Sequence, residues 1–229
     1  MSNSKLIPYK VFGIGLNKTG TKTLGHALAT LGFSGTTFNL MLLEDISRQR
    51  YDRLFDKIKS FSAFEDWPYP LVYPVIDSHF PGNKFILTTR SSPEKWLESL
   101  MRHALHTDPV RGAKCRSLAY GFAYPQLNPD AHLKIYTTHL ERAREYFHGR
   151  EEDYLEVCWE NGDGWQKICT FLQLPVPTQS FPHVNRGAEK PRGKNYTNNL
   201  HAITSLLEKN SIRSSCSVIQ PLPEIRSEK

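Results

Sequence analysis

A short apolar segment, followed by a turn rich in glycine and threonine and then by a helical pattern, most restricts how this chain can fold. Residues 10–15 are almost continuously apolar, as in a strand buried on both faces. A turn follows at residues 16–20, and leucine and alanine then recur at helical spacing from Leu24 to Leu31. Because loop N–H groups and a helix N-terminus together attract negative charge, this order of elements predicts an anion-binding site.

Strands and helices continue to alternate along the chain. Further buried-strand patterns occur at residues 62–64, 84–89 and 154–157, and helical patterns at 51–58, 97–104 and 165–172. The stretch from residue 108 to 149 has the pattern of helical insertions. This alternation predicts an α/β fold, with a central and mainly parallel β-sheet flanked by helices.

The length of 229 residues suits one domain, which we place at residues 1–195. After about residue 186 the chain becomes polar and rich in proline and glycine. Residues 196–229 are therefore predicted to be a C-terminal tail that is loosely ordered apart from one short helix near Leu200–Leu207.

Neither a membrane segment nor a disulfide framework is indicated. No stretch approaches the roughly 20 apolar residues that a membrane span needs, and the first ten residues do not have the pattern of a signal peptide. The four cysteines are scattered without a C-x-x-C pair, so we interpret them as reduced thiols. A cytoplasmic protein without a membrane partner is expected.

The net charge of +6 favours an anionic partner without identifying one. Nucleic acid is not expected, because the sequence contains no recognition-helix signature, zinc-finger spacing or RNP-like aromatic motif. The nine histidines do not have metal-ligand spacing with supporting cysteines, so no metal site is predicted. A small phosphorylated ligand accounts for the excess positive charge.

The glycine-rich turn matches neither of two common phosphate motifs. A dinucleotide fingerprint would need a third glycine where Lys18 stands, and the acidic residue that binds ribose is missing from its usual place. A Walker A motif would need lysine where Thr21 follows Gly20. The strand that could supply a magnesium carboxylate ends at Arg90, which suits an anion and cannot bind a metal. The pattern indicates a phosphate loop that works without magnesium.

Three segments, in this order, resemble the PAPS-dependent sulfotransferases. Residues 11–24 are similar to the loop that binds the 5′-phosphosulfate in that family, and residues 85–99 to the segment that binds the 3′-phosphate. The late segments 164–175 and 181–185 resemble a compact, largely microbial branch of the family. The resemblance implies a P-loop-like sulfotransferase fold, with PAPS as the sulfuryl donor and PAP as the product.

The resemblance also implies where the donor binds. The 5′-phosphosulfate would contact the loop and the start of the helix, at Asn17, Lys18, Thr19, Gly20, Thr21, Lys22 and Thr23. Lys18 would be catalytic, because it would neutralise the bridging oxygen as the sulfuryl group leaves. Arg90 and a serine on the next helix would bind the 3′-phosphate. Ser99 follows Arg90 by nine residues rather than the family's usual eight, so another serine remains an alternative.

A late basic segment could complete the 3′-phosphate site. It contains Arg186, Lys190, Arg192 and Lys194. It resembles the basic, glycine-containing loop that closes over the 3′-phosphate in relatives, and Arg186 is its candidate ligand. A flexible basic tail is the alternative interpretation.

The acidic pair after the second predicted strand supplies the candidate base. Asp66 resembles the aspartate of the related microbial branch, and Glu65 is its competitor. Strand alternation would place the two on opposite sides, so that only one faces Lys18. Asp66 could instead cap a helix that begins near Pro68. Two aromatic residues, Trp67 and Tyr69, are candidate acceptor-binding residues.

The sequence thus predicts a sulfotransferase that acts by direct, in-line transfer, without a metal and without a covalent enzyme intermediate. The acceptor would be a hydroxyl or amine of a small molecule or glycan. The alternatives are a nucleotide-dependent kinase of similar fold and a non-catalytic nucleotide-binding protein. Acceptor pockets in such folds are built from variable loops, so the sequence identifies no acceptor. It also leaves the oligomeric state open.

Overall fold

A sheet of five parallel strands lies at the centre of the part of the chain that the structure describes. This computed structural model describes residues 8–182, 184 and 191–216, with side chains described up to residue 209. The strands are β1 (Val11–Gly13), β2 (Gly35–Thr36), β3 (Ala63–Phe64), β4 (Lys84–Thr88) and β5 (Tyr154–Val157). Their order is β2–β3–β1–β4–β5, and each adjacent pair is parallel. The predicted α/β architecture is confirmed.

Helices connect the strands and cover both faces of the sheet. In chain order they are α1 (Thr21–Thr30), α2 (Leu40–Ile46), α3 (Asp52–Ser60), α4 (Tyr73–His79), α5 (Pro93–His106), α6 (Pro109–Tyr120), α7 (Pro129–Tyr146), α8 (Trp165–Leu172) and α9 (Lys194–Cys216). Three of them, α5 to α7, begin with proline, whose fixed φ and missing N–H suit the first helical position. Among the described helices, none is long and apolar enough to cross a membrane.

Alternation along the short strands divides the core between the two faces of the sheet. Val11 packs in a cluster with α1 and α8, whereas Phe12 packs in a cluster with α3, α4 and α7. The Phe12 ring stacks on those of Phe64 and Phe85, with centroids 4.5 and 5.4 Å apart. Because neighbouring strands are in register, these three rings form one layer across the sheet.

A third apolar cluster lies beyond the carboxyl ends of the strands. Its centre is Trp96 of α5, which is fully buried and stacks on Tyr136 of α7 at a centroid distance of 4.6 Å. Leu16, Trp67 and Tyr120 belong to the same cluster. This cluster attaches α5, α6 and α7 to the edge of the sheet at which ligands bind in open α/β folds.

The C-terminal helix α9 is longer than the sequence predicted. The predicted short helix at Leu200–Leu207 lies within α9, and the predicted boundary after residue 195 also falls inside it. The reason is a tertiary anchor, because Asn199 is fully buried and donates hydrogen bonds to the carbonyls of Leu105 and Thr107 at the end of α5.

Candidate functional site

The loop between β1 and α1 packs closely against β4 and contains two residues with a left-handed backbone. A Cβ at Gly15 would lie 2.0 Å from Thr88 Oγ1, so only glycine lets the loop approach β4 this closely. Lys18 has a φ of 73° and Gly20 a φ of 91°. These left-handed residues turn the chain between the strand and the helix, at the place where the sequence predicts a phosphate loop.

Two of the predicted ligand residues hold the loop in place. Thr19 is almost fully buried, and its hydroxyl donates to the Leu16 carbonyl (2.6 Å) and lies 2.6 Å from Thr88 Oγ1. Asn17 is also buried, and its side-chain oxygen accepts from the Tyr120 hydroxyl. Trp96 donates to the Asn17 carbonyl at 2.9 Å. The Thr19 hydroxyl and the Asn17 side-chain oxygen therefore already have partners within the fold.

The N-terminus of α1 lies at the end of this loop and is the other part of the predicted anion site. Gly20 is the N-cap, and no side chain in the described residues caps the helix there. Thr21 and Thr23 are buried, Lys22 is exposed, and the Thr23 hydroxyl accepts from the N–H of Val184. An uncapped helix N-terminus has N–H groups that can donate to a phosphate or sulfate.

Arg90 lies two residues after β4 and extends towards the loop. Its Nη1 donates to the Lys18 carbonyl at 3.4 Å, and its backbone N–H donates to the Tyr136 hydroxyl at 2.9 Å. Its Nη2 lies 2.6 Å from Glu160 Oε1, and Nε is buried without a hydrogen-bond partner among the described residues. The two predicted anion-binding segments are therefore adjacent in space.

The other predicted ligands of the 3′-phosphate are less directly placed. Ser99 is half-buried in the second turn of α5, three residues after Trp96 on the same side of the helix. Arg186 and Lys190 lie outside the described residues. Arg192 stacks over the ring of Tyr196 at 5.5 Å, and Lys194 begins α9.

Asp66 follows β3 in a left-handed conformation with a φ of 68°. Its carboxylate accepts from the N–H of Trp67 at 2.7 Å, so it bonds to its own neighbour and does not cap the 3₁₀ turn at Tyr69–Leu71. Burial and the charge of Glu65 raise the pKa of Asp66 to about 6, against the opposing effect of Lys18 and Lys22. The carboxylate is thus ionised at neutral pH but close to its pKa, as suits a general base.

Glu65 is buried against the first helix. A Cβ on Gly25 of α1 would lie 3.2 Å from Glu65 Cγ, and Oε2 has no hydrogen-bond partner among the described residues. Strand alternation does not extend to this pair, because β3 ends at Phe64 and Asp66 is left-handed. The charges of Lys18 and Lys22 act on Asp66, the residue predicted to be the base.

Comparison of the sequence with known proteins identifies the family. A family model described as a sulfotransferase domain matches residues 10–190. The chain belongs to the sulfotransferase family. It is also 26% identical, over 213 residues, to "Ava biosynthesis cluster protein M" of Aspergillus versicolor, with 76% of this chain and 80% of the relative covered.

The sulfotransferase has a cavity of about 570 Å³ beside its loop. Leu16 of the loop lines it, together with Leu71, Tyr73, Tyr120 and Ile135. This volume lies in the usual range for small-molecule sites, and such walls suit an apolar ligand. No feature of the sequence predicted the cavity, because its wall residues are far apart along the chain.

The two predicted acceptor-binding residues do not line the cavity. Trp67 is 5% exposed and packs edge-on against Tyr120, with centroids 5.2 Å apart. Tyr69 has no exposed surface, and its ring packs against those of Phe12 and Phe64. Trp67 therefore contacts a residue of the cavity wall, Tyr120, whereas Tyr69 belongs to the core.

Three side chains near the loop were not identified from the sequence. His139 lines the cavity and donates through Nε2 to the Ile14 carbonyl at 2.7 Å, and burial lowers its pKa. Trp159 donates to the Gly20 carbonyl at 3.2 Å, and Glu160 pairs with Arg90. Each is at least 69 residues from its partner, so local patterns gave no signal.

Within residues 8–182, 184 and 191–216, no group of three or more His, Cys, Asp or Glu side chains is placed to bind a metal ion.

Proposed function

We propose that this sulfotransferase transfers a sulfuryl group from PAPS to a hydroxyl or amine of a small acceptor, directly and in line. The observation that carries the proposal is the largely buried carboxyl of Asp66, whose pKa is raised to about 6 and which interacts with the charge of Lys18 of the loop. A base and a leaving-group cation at one site are what such a transfer needs. We further propose a cytoplasmic location, because the described cysteines Cys115, Cys158 and Cys169 are free thiols.

The donor would bind across the two adjacent anion-binding segments. The uncapped N-terminus of α1 suits the 5′-phosphosulfate, and the guanidinium of Arg90 suits the 3′-phosphate. Both groups are anions, and the residues that face them are helix N–H groups and cations. A PAPS donor is supported by this match.

In the transfer step, the acceptor oxygen or nitrogen attacks sulfur, and the bond from sulfur to the bridging phosphate oxygen breaks. That oxygen keeps the electron pair of the broken bond, and Lys18 would stabilise its growing negative charge. Asp66 would take the proton from the acceptor. Atoms and charges then balance with PAP and the sulfated acceptor as products.

The acceptor would occupy the cavity beside Leu16. Its walls include Tyr120, which bonds to Asn17 of the loop and whose ring packs against Trp67, the residue after Asp66. An acceptor in the cavity would therefore lie beside the loop, and Tyr120 would connect it to the segment that carries the base. Mostly apolar walls favour an acceptor whose body is apolar and whose nucleophile is at one end.

The test is a transfer assay with PAPS and a panel of apolar alcohols, phenols and amines, in which PAP release is measured. We expect at least one acceptor to increase PAP release by the wild-type protein but not by Lys18→Ala. If both proteins release PAP at the same rate with every acceptor, Lys18 has no role in transfer and the proposal fails.

A further inference from the structure

Glu160 binds to a cluster of positively charged and hydrogen-donating groups just after β4. It lies in the 3₁₀ turn Trp159–Asn161, which follows β5. One carboxylate oxygen lies 2.6 Å from Arg90 Nη2. The other accepts from the N–H of Ser91 at 2.8 Å and from its hydroxyl at 2.6 Å. Lys95 donates to the same Ser91 hydroxyl at 2.9 Å.

Donors of these kinds are the ones that proteins use to bind a phosphate monoester. A guanidinium, a backbone N–H and a hydroxyl contact the Glu160 carboxylate just before α5 begins, and the ammonium of Lys95 donates to that same hydroxyl. Arg90 also has a buried Nε with no hydrogen-bond partner among the described residues. Burial opposes ionisation of Glu160, but the Ser91 hydrogen bonds and the charges of Arg90 and Lys95 lower its pKa. The internal carboxylate is thus held as an anion.

The same turn also contacts the loop. Trp159, the residue before Glu160, donates to the Gly20 carbonyl, and a Cβ at Gly20 would lie 2.4 Å from Trp159 Cδ1. One short turn therefore contacts both anion-binding segments, Trp159 at the start of α1 and Glu160 before α5.

We propose that in the free protein Glu160 occupies the place of the donor's 3′-phosphate, beside Arg90, Ser91 and Lys95. This inference rests on the proposed function, because it assigns the second anion of the same donor. A phosphate must displace Glu160, since two anions cannot share these groups without repulsion. The affinity for the 3′-phosphate is then reduced by the free energy needed to separate Glu160 from Arg90 and Ser91. A nucleotide without that phosphate displaces nothing.

The test compares Glu160→Gln with Glu98→Gln. Glu98 pairs with Arg102 on the exposed face of α5, so its variant removes the same charge outside the cluster. Dissociation constants are measured by calorimetry for PAP and for AMP, which lacks the 3′-phosphate. Glu160→Gln should bind PAP about tenfold more tightly than wild type, as loss of one charged competitor implies. AMP binding should change less than about twofold, and Glu98→Gln should bind both like wild type.

A second variant keeps the inference testable if Glu160→Gln does not fold. Lys95→Gln leaves the pair between Glu160 and Arg90 in place and should weaken PAP binding several-fold, with AMP unaffected. The inference is overturned if Glu160→Gln binds PAP as weakly as wild type or more weakly, or if PAP and AMP respond alike.

Inorganic phosphate separates this inference from the proposed function. If no variant binds PAP, the proposed donor is wrong, but phosphate should still raise the melting temperature of Glu160→Gln more than that of Glu98→Gln. If phosphate raises the two melting temperatures equally, the anion site itself is ruled out.

Discussion

Replacing Asp66 with asparagine should raise stability above pH 6 while removing the proposed base. The pKa of Asp66 rises from 3.8 to about 6, mainly through burial, so the folded protein disfavours the ionised carboxylate. Asp66 therefore adds to the free energy of unfolding while its carboxyl is protonated. This contribution is complete below pH 3.8 and is lost as the pH rises through about 6. A difference of about two units corresponds to at most about 3 kcal/mol. Because Asp66 is partly exposed, we expect about 1–2 kcal/mol.

Asparagine avoids this cost, because it is neutral and can still accept from the N–H of Trp67. The melting temperature of Asp66→Asn should therefore exceed that of wild type by about 2–6 °C at pH 8. The difference should shrink towards zero near pH 4. Thermal unfolding followed by circular dichroism at pH 4, 6 and 8 measures it without any acceptor.

Activity should change in the opposite direction. In wild type, kcat/KM should rise with pH through about 6 as Asp66 ionises, and in Asp66→Asn it should fall roughly a hundred- to ten-thousand-fold. Glu65→Gln is the matched control, and it should keep turnover but shift the rise to lower pH, because Glu65 raises the pKa of Asp66. If Asp66→Asn is less stable than wild type at pH 8, the electrostatic reasoning is wrong. Retained activity there, with loss in Glu65→Gln, would make Glu65 the base.

Three further changes test other parts of the site and fold. Lys18→Ala should lower kcat more than it weakens PAP binding, because its partner charge develops during transfer; equal losses in single-turnover and binding measurements would argue against this role. Arg90→Ala should weaken PAP binding about ten- to a hundredfold but adenosine 5′-phosphosulfate binding much less, and equal losses in calorimetry would make Arg90 structural. Asn199→Ala should cost about 1–3 kcal/mol in urea unfolding, whereas exposed Leu200→Ala should change little; equal effects would contradict the anchoring of α9.

Much of the fold could be predicted because its signals are local. The apolar run at residues 10–15 and the helical spacing after Leu24 predicted β1 and α1 within a few residues. The strand β2 was not predicted, since Gly35 and Thr36 carry no periodic pattern. It exists because its backbone pairs with β3.

The site was predictable to the extent that it depends on neighbours in the chain. The loop around Lys18 and the position of Arg90 after β4 follow from short segments. The left-handed backbone of Asp66 and its charge coupling to Glu65 were not predictable, because strand alternation assumed that β3 continued. The pairing of Glu160 with Arg90 joins residues 70 positions apart, and only the sheet order brings β4 and β5 together.

The most direct test of the proposed donor is a thermal-shift comparison of PAP, AMP, ADP and ATP, each with EDTA and with Mg²⁺. A ligand that binds only the folded protein raises the melting temperature by mass action. We predict that PAP gives the largest shift and that EDTA leaves this shift unchanged, because helix N–H groups and Arg90 suit its two phosphates. Equal shifts for PAP and ADP, or a shift that requires Mg²⁺, would contradict the account and favour a nucleotide-dependent kinase.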